Sequence, residues 1–524
     1  MESYIEKADH FTDHEKQFQL GFLPSEAVNP LTAHLSDDFA RSAADGMASL
    51  VAADRALQNV LETALKSPEF QALRDAVCET VKRRGRVCFS GCGATGRLAI
   101  LLEAMWRDAA PKELADAVCA IMTGGDFALV KSVEFFEDYC EVGARQLADA
   151  DFTANDMLVG ITATGETASI VGSAIEAAKR GARVFMLICV PKELPPSRLE
   201  RCRILYGMPG VTILAMPCGG MAVAGSTRMQ STTLEMTVAA AALEAALDGA
   251  TAAEYATGFK KLTDSMNSVS FTSGIGAAAE REAAIYRRKG LVTYTATDYL
   301  LDVITDTTER SPTFMLPQFR RSDDAVSPVS WAFAKDLRQP THETWRKVFR
   351  REPRCINWRE EEYRAMGVEK LLSKGLPRIS AADLDTVQVG NEADTGRENA
   401  TVVPVSLDCG VLKIGEFSFA PELAPTKLHI FEHLAVKLAM NDLSTGTMVL
   451  FGRVHGAFMT YLDISNKKLI DRGVRIVSTL CGIADYRQCC RELFKSLEIL
   501  ENNRKPGEER RSAVQYTIER LRKK

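Results

Sequence analysis

Several motifs that would assign a common chemistry are absent from this chain of 524 residues. The glycines of its turns are not followed directly by Lys-Ser or Lys-Thr, which excludes a Walker A nucleotide site, and no G-x-S-x-G elbow marks a serine hydrolase. The 13 cysteines form no C-x-x-C pair and no signal peptide precedes the first helices, so we expect reduced thiols and a cytoplasmic protein. No apolar run is long and uncharged enough to span a membrane, and we expect no membrane partner.

An excess of charge of one sign is also absent. The formal net charge is −5, and 46% apolar with 25% charged residues is ordinary globular usage, so nucleic acid is not an expected partner. The chain has only 7 histidines. His429, Glu432 and His433 form an H-x-x-E-H sequence with no other ligand cluster in view. We interpret that pattern as coincidence and predict no metal and no cofactor.

The chain does contain a glycine-rich segment that indicates a strand, a tight turn and a helix. β-forming residues at 86–89 precede Gly91, Gly93 and Gly96, and the apolar residues that follow recur with helical spacing as far as Trp106. The glycines let the backbone approach a ligand closely, a threonine within the turn adds a hydroxyl, and the first turn of the helix offers unpaired N–H groups. We therefore predict an anion site at this turn.

Two further turns carry hydroxyl groups at comparable places. Thr164 and Thr167 follow an apolar run that is typical of a strand, and Ser226 opens a long alanine-rich helix. Because parallel strands joined by helices place such turns at one edge of a sheet, the turns are predicted to form a single site. On the residues alone, Ser226 is equally explained as an ordinary N-cap.

The order of predicted strands and helices divides the chain into four parts. Residues 1–85 form a helical region, 86–265 a first α/β domain with the anion site, 270–440 a second, degenerate one, and 441–524 a helical cap. In the second domain the strand at 290–296 passes into a helix without a glycine, which predicts that this domain lacks a working phosphate site. Residues 318–338 and 357–398 are predicted to be surface insertions.

Five segments together resemble motifs of the sugar isomerase (SIS) domain family, and within it those of the N-acetylmuramic acid 6-phosphate etherases and the glucokinase regulatory proteins. They are Gly93-Ala-Thr-Gly-Arg-Leu98; Thr123-Gly-Gly-Asp126 with Glu134-Phe-Phe-Glu137-Asp138; Gly165 with Thr167; Gly225-Ser-Thr-Arg-Met229; and Leu443-Ser-Thr-Gly446 with Asn466, Lys468 and Leu469. The resemblance implies an α/β fold of two SIS-type domains, each flavodoxin-like with a parallel sheet in three αβα layers, and helical extensions at both ends.

The resemblance also implies which residues contact a phosphorylated hexose or amino sugar. These residues are Gly93, Ala94, Thr95, Gly96, Arg97, Glu137, Thr164, Gly165, Thr167, Ser226, Thr227, Arg228 and Lys468. Although Lys468 is far along the chain from the glycine turn, the resemblance brings it to the site in the first domain. Glu137 takes the position of the general base if the protein is a lyase.

Two departures from the etherase pattern bear on function. Met105 stands where the resemblance places the general acid, and Gln230 replaces a lysine. Because losing a positioned acid costs about 10²–10⁴ in rate, we favour a regulatory or sensory sugar-phosphate-binding protein that contacts a protein partner such as a sugar kinase. The alternative is an etherase-like lyase or a sugar-phosphate isomerase that uses Glu137 as base.

Overall fold

The computed structural model describes residues 3–133, 135–394 and 396–523. Glu134, which belongs to one of the predicted motifs, lies outside the described residues. Within those residues, no helix combines the length and the apolar character needed to cross a membrane.

The first α/β unit is built on a parallel sheet. Its strands are β1 (Val87–Gly91), β2 (Val118–Met122), β3 (Met157–Ile161), β4 (Arg183–Ile188) and β5 (Val211–Ala215), in the order β2-β1-β3-β4-β5. Its helices are α6 (Ala94–Ala109), α7 (Cys140–Asp149), α8 (Ala168–Lys179), α9 (Leu194–Arg198), α10 (Glu200–Tyr206) and α11 (Gln230–Ala245). Every residue of β1, β2 and β3 is buried, which explains their unbroken apolar runs. The strand order is the predicted flavodoxin-like one.

The second α/β unit has a mixed sheet. Its strands are β6 (Val292–Thr295), β7 (Ala332–Lys335), β8 (Thr401–Asp408), β9 (Val411–Ile414) and β10 (Phe417–Phe419), in the order β10-β9-β8-β6-β7. Its helices are α14 (Leu300–Phe314), α15 (Thr341–Phe349), α16 (Glu360–Ala365), α17 (Ala381–Asp385) and α18 (Ile430–Leu450). Strands β6, β7 and β8 are parallel, which confirms the α/β class. Strands β8 to β10 are antiparallel, because only Cys409 and Gly410 join β8 to β9 and a parallel crossover needs a dozen or so residues.

Helices from both ends of the chain and from the segment between the two units pack around them. They are α1 (Tyr4–His14), α2 (Leu35–Arg41), α3 (Ala43–Arg55), α4 (Gln58–Lys66), α5 (Pro68–Lys82), α12 (Ala252–Met266), α13 (Val269–Arg287), α19 (Lys467–Cys481), α20 (Tyr486–Asn502) and α21 (Ala513–Arg522). Phe11 of α1 lies 6.4 Å from Phe494 of α20 between ring centroids, so the first and last parts of the chain share a core. Helix α18 runs through the predicted boundary at 440/441, so the cap is continuous with the second unit.

The segments predicted to be surface insertions are partly structural. Strand β7 lies within 318–338, where a short apolar run is surrounded by polar residues, and the Lys335 side chain at its end is buried beside Asp394. In the other segment Trp358 stacks on Phe136 with ring centroids 6.3 Å apart and donates to Asp149 at 2.6 Å. The prediction of two surface insertions is therefore wrong in both segments.

Candidate functional site

Several of the predicted site residues meet in a pocket at the carboxyl edge of the first sheet. The turn after β1, the end of β2, the turn before α11, the end of α14 and the start of α19 enclose a cavity of about 140 Å³. Of the predicted residues, those that line it are Gly93, Ala94, Glu137, Ser226, Thr227, Arg228 and Lys468. Segments far apart in sequence therefore form one site, and α14 of the second unit closes it.

The turn after β1 presents backbone amides at the start of α6. Gly93 has a φ of +56°, and the Arg97 amide donates to its carbonyl at 3.1 Å. In the described part of the chain, the amides of Ala94 and Gly96 have no protein acceptor. A Cβ on Gly96 would lie 2.7 Å from Met122 Cγ, so glycine is required there. Free amides at the positive end of the helix dipole favour an anion.

The turn before α11 faces those amides across the pocket. Ser226 and Thr227 line the cavity, and no hydrogen bond within the described residues uses either hydroxyl. Gly225 has a φ of +77°, and a Cβ on it would lie 2.4 Å from Arg472 Nε. The glycine thus lets the Arg472 side chain pass behind the turn while two hydroxyl groups remain available to a ligand.

A lysine and a carboxylate form an ion pair in the pocket. Lys468 Nζ lies 3.3 Å from Glu137 Oε1, and Cys92 Sγ lies 3.4 Å from Glu137 Oε2. Although burial disfavours the ammonium, the Glu137 carboxylate and then that of Glu166 raise the pKa of Lys468 above its usual value. Burial, and then Glu137, raise the pKa of Cys92, so its thiol stays protonated and donates to the carboxylate. The pocket therefore holds a permanent cation beside a base.

Asp138 is a second acid close to this ion pair. Burial, and then the neighbouring Glu137 carboxylate, raise the pKa of Asp138 to about 7. The Lys467 amide donates to Asp138 Oδ2 at 3.4 Å, at the first residue of α19. Asp138 therefore connects the short helix Phe136–Asp138 to the helix that carries Lys468.

A buried ion-pair cluster fixes α19 behind the pocket. Glu26 accepts a hydrogen bond from Arg472 Nε at 2.9 Å and another from Arg475 at 2.6 Å. Although burial opposes ionisation, these two guanidinium groups lower the pKa of Glu26 to about 2. Two residues further on, Val28 forms a β-bridge with Met221. The N-terminal segment, the turn before α11 and α19 are thereby joined.

Comparison with known proteins identifies the family. The family model for the glucokinase regulatory protein N-terminal SIS domain matches residues 71–179. The N-acetylmuramic acid 6-phosphate etherase of Enterobacter sp. (strain 638) is 31% identical over 221 residues, which is 42% of this chain and 68% of that protein. The chain belongs to the SIS-domain family. The predicted family resemblance is thereby confirmed.

This SIS protein covers a smaller share of the length of two other relatives. The N-acetylmuramic acid 6-phosphate etherase of Picosynechococcus sp. is 33% identical over 223 residues, or 41% of this chain and 65% of that protein. The chain spans 41% of the Aeromonas hydrophila etherase. The solved tagatose-6-phosphate ketose/aldose isomerase of Escherichia coli is 12% identical, covers 79% of this chain and 93% of its own, and has a TM-score of 0.41, too low to inform the site.

In the SIS protein, two arginines that were predicted to bind ligand instead form ion pairs with the second unit. Arg97 is buried, and its Nη1 approaches Glu309 Oε1 to 2.5 Å without an aligned hydrogen bond. Arg228 lines the pocket but pairs with Asp306 at 2.8 Å and donates to Thr445 at 2.8 Å. Both carboxylates belong to α14. Arg97 does not line the pocket, so the ligand contact expected of it is corrected to a structural role between the units. Arg228 has the same structural role, and its contact with ligand stays a prediction.

The Thr95 hydroxyl maintains the shape of its own turn. It donates to the Cys92 carbonyl at 3.0 Å and accepts from the Cys92 amide at 3.0 Å. Thr95 does not line the cavity. Its side chain thus supports the ligand-facing amides, whereas the prediction gave it a direct contact.

The turn after β3 also lies outside the cavity. Thr164 donates to Glu166 at 3.0 Å, and the Thr167 and Thr162 hydroxyls lie 2.9 Å apart. Gly165, with a φ of +73°, shapes this turn. These hydroxyl groups form hydrogen bonds within their own turn, and the pocket lies over β1 and β2. The structure therefore does not place this turn, with its predicted phosphate contacts, in the pocket.

The departures from the etherase pattern have local explanations. Met105, at the position of the implied acid, is buried and does not line the pocket. Glu103 cannot replace that acid, because it pairs with Arg351 at 3.0 Å. Gln230 donates to Asp54 at 2.8 Å, so it secures α11 against α3.

Several pocket residues were missed by the sequence interpretation. Thr123 and Ser132 line the cavity from the region after β2, and Ser465 does so from the approach to α19. The signal for Thr123 was its position directly after a buried strand, the same signal that identified the glycine turn after β1. Thr313 lines the pocket from the second unit, and no local pattern marks it.

Proposed function

We propose that the pocket binds a phosphorylated hexose or amino sugar and that the protein is an etherase-like lyase acting on N-acetylmuramic acid 6-phosphate or a related compound. The observation that carries this proposal is the 3.3 Å contact between Lys468 Nζ and Glu137 Oε1 within the pocket. The free amide of Ala94 and the hydroxyls of Ser226 and Thr227, which all line the pocket, suit phosphate oxygens. The names of the relatives support the same substrate class.

The pocket residues divide the chemistry between them. Glu137 takes the proton next to the sugar carbonyl, and elimination releases the group held by the ether bond. Lys468 attracts the phosphate by charge and orients Glu137 by its ion pair. Met105 supplies no proton to the leaving group, so the leaving oxygen takes its proton from water, and turnover is expected to be slow.

A lactate-release assay with N-acetylmuramic acid 6-phosphate tests the proposal. Glu137→Gln should lower the rate by about 10²–10⁴, the usual contribution of a general base, while sugar-phosphate binding persists. Glu141→Gln is the matched control, because Glu141 is an exposed glutamate on neighbouring α7. Absence of lactate release from the parent protein, or equal rates for parent and Glu137→Gln, would contradict the assignment of Glu137 as a base.

A regulatory role is the second candidate. Helix α14 of the second unit closes the pocket, and the family match over 71–179 is to a regulatory protein's domain. In that case a sugar phosphate would change how the protein contacts a partner such as a sugar kinase. Sugar-phosphate binding by calorimetry without lactate release would favour this candidate over the lyase.

A further inference from the structure

We propose a second ligand site: the large cleft beside the phosphosugar pocket binds an organic anion with an apolar body. The cleft has a volume of about 600 Å³, within the usual range of about 300–1,000 Å³ for small-molecule sites. Residues from 127–133, 135–136, 311–328, 370–379 and 504–510 enclose it together with Asp463. It is separate from the Glu137–Lys468 ion pair, neither member of which lines it.

The lining of the cleft is basic although the whole protein is acidic. Among the described residues, eight lysine and arginine side chains and four aspartate and glutamate side chains line it, whereas the chain has a formal net charge of −5. Two of these cations, Arg321 and Arg378, pair with aspartates outside the lining. A concave surface that concentrates one sign of charge attracts the opposite sign. The expected occupant is therefore an anion.

The acids of the cleft are already engaged. Asp463 accepts from Arg510 at 3.0 Å, and Glu509 accepts from the Trp331 indole at 2.6 Å. Asp324 accepts from the Val326 and Ser327 amides, at 3.0 and 2.9 Å, within its own turn. Each of these three carboxylates is therefore held by a donor other than Lys370 or Arg504.

Two of the cations have no such partner. Lys370 and Arg504 both line the cleft and both are exposed. Among the described residues, no carboxylate lies within ion-pair distance of either side chain. They approach the cleft from different segments, one after α16 and one after α20, so a bound anion would meet positive charge from two sides.

The floor and rim of the cleft are apolar. Phe319 and Leu316 are buried beneath it, while Leu376 is 46% exposed and Phe135 is 39% exposed at its rim. Large exposed apolar side chains next to unpaired cations suit a molecule with a flat apolar body and a phosphate, sulfonate or carboxylate group. A simple inorganic ion would leave the apolar surface uncovered.

The cleft shares a wall with the phosphosugar pocket. Ser132, Val133 and Phe135 line both cavities, and Phe135 has a φ of +65°, in the left-handed region. A ligand that shifts this segment in one cavity changes the other, and such coupling is reciprocal. We therefore expect occupancy of the cleft to change affinity at the phosphosugar pocket. This coupling rests on the proposed function, whereas the existence of the second site does not.

Titration with the fluorescent aromatic sulfonate 8-anilinonaphthalene-1-sulfonate tests the site on the full chain. We expect saturable binding that weakens at least tenfold in Lys370→Glu combined with Arg504→Glu, and also in Leu376→Glu at its exposed position. Lys413→Glu, at an exposed position of β9 outside the cleft, should leave the affinity unchanged. Melting temperatures measured alongside confirm that each variant is folded.

Two results would overturn the inference, and they are distinguishable. If the dye does not bind, or binds the cleft variants as tightly as the parent, there is no organic-anion site in the cleft. If the site is present but saturating N-acetylmuramic acid 6-phosphate leaves the dye affinity within twofold, the coupling is wrong. Failure of the proposed function would appear separately, as no binding of that sugar phosphate in calorimetry.

Discussion

The two α/β units place a similar strand, turn and helix in very different roles. In the first unit, β1 leads through Gly93 into α6, whose amides face the pocket. In the second, β6 leads into α14 through residues 296–299, which include no glycine. There Thr297 donates to Asp336 at 3.3 Å, and Asp302 pairs with His433 at 2.9 Å.

The difference shows what a glycine turn contributes. Without glycine the backbone cannot wrap an anion, and the carboxylates of Asp298, Asp302 and Asp336 around the second turn repel one. The helix that follows that turn instead has a structural role. Glu309 and Asp306 of α14 hold Arg97 and Arg228, and Thr313 near its end lines the pocket. One unit therefore binds and the other closes and supports the site.

Breaking the contact between the units should have the largest effect. Arg97→Met leaves the buried Glu309 carboxylate without its partner, and loss of one member of a buried pair costs about 3–5 kcal/mol of the free energy of unfolding. Urea denaturation measures the change. The control, Arg281→Met, removes an exposed arginine that pairs with Glu416 at 3.6 Å and should cost less than about 1 kcal/mol. Equal costs for the two variants would show that α14 does not depend on Arg97.

Removing the cation from the pocket should have the next largest effect. Lys468→Met takes away a charge-assisted contact with the phosphate, about 1.5–3 kcal/mol, so the Kd for sugar phosphate should rise by about 10–150-fold in calorimetry. Lys467→Met is the matched control, because the adjacent ammonium pairs with Glu15 at 2.7 Å. An unchanged Kd in the Lys468 variant would remove α19 from the site.

Hydroxyl groups of the two units can be compared directly. Ser226→Ala should weaken sugar-phosphate binding by about 0.5–1.5 kcal/mol, because it removes one hydrogen-bond donor from the first unit's pocket. Thr297→Ala, at the turn of the second unit, should leave binding unchanged. A comparable loss in Thr297→Ala would mean that the second unit also binds ligand.

The last prediction concerns the pH dependence of stability. With a pKa of about 7, Asp138 keeps its proton in the folded chain at pH values where the unfolded chain has lost it. The folded state then binds more protons between about pH 4 and pH 7, so stability falls as the pH rises across that interval. Asp138→Asn should flatten this slope, which stays below about 1.4 kcal/mol per pH unit for one proton. Parallel pH profiles of stability in parent and variant would contradict the raised pKa of Asp138.

The sequence predicted the local parts of the fold better than the contacts between them. Glycine turns and buried strands follow from patterns within short windows and were found, whereas the flavodoxin-like order came from the resemblance to the SIS family. The ion pairs of Arg97 and Arg228 were not predicted, because their partners on α14 are brought close only by the packing of the two units. Strand β7 was missed since its four residues end in a lysine whose burial depends on Asp394.

The site residues show the same division between what local motifs predict and what the packing decides. Gly93, Ser226 and Lys468 were named from motifs and line one pocket, although no pattern in the residues alone would have placed Lys468 there. Thr164 and Thr167 sit in an equally suggestive turn that uses its hydroxyls internally. Sequence motifs mark turns able to bind an anion, whereas the three-dimensional packing decides which of them face the same cavity.

Hydrogen exchange with and without saturating sugar phosphate tests the central claim most directly. The amides at 91–97, 225–229 and 465–472 should exchange more slowly with ligand, because the pocket is built from these three segments. The amides at 296–302, at the glycine-free turn of the second unit, should be unchanged. Protection at 296–302, or protection at 91–97 with none at 465–472, would contradict a single phosphosugar site in the first unit completed by α19.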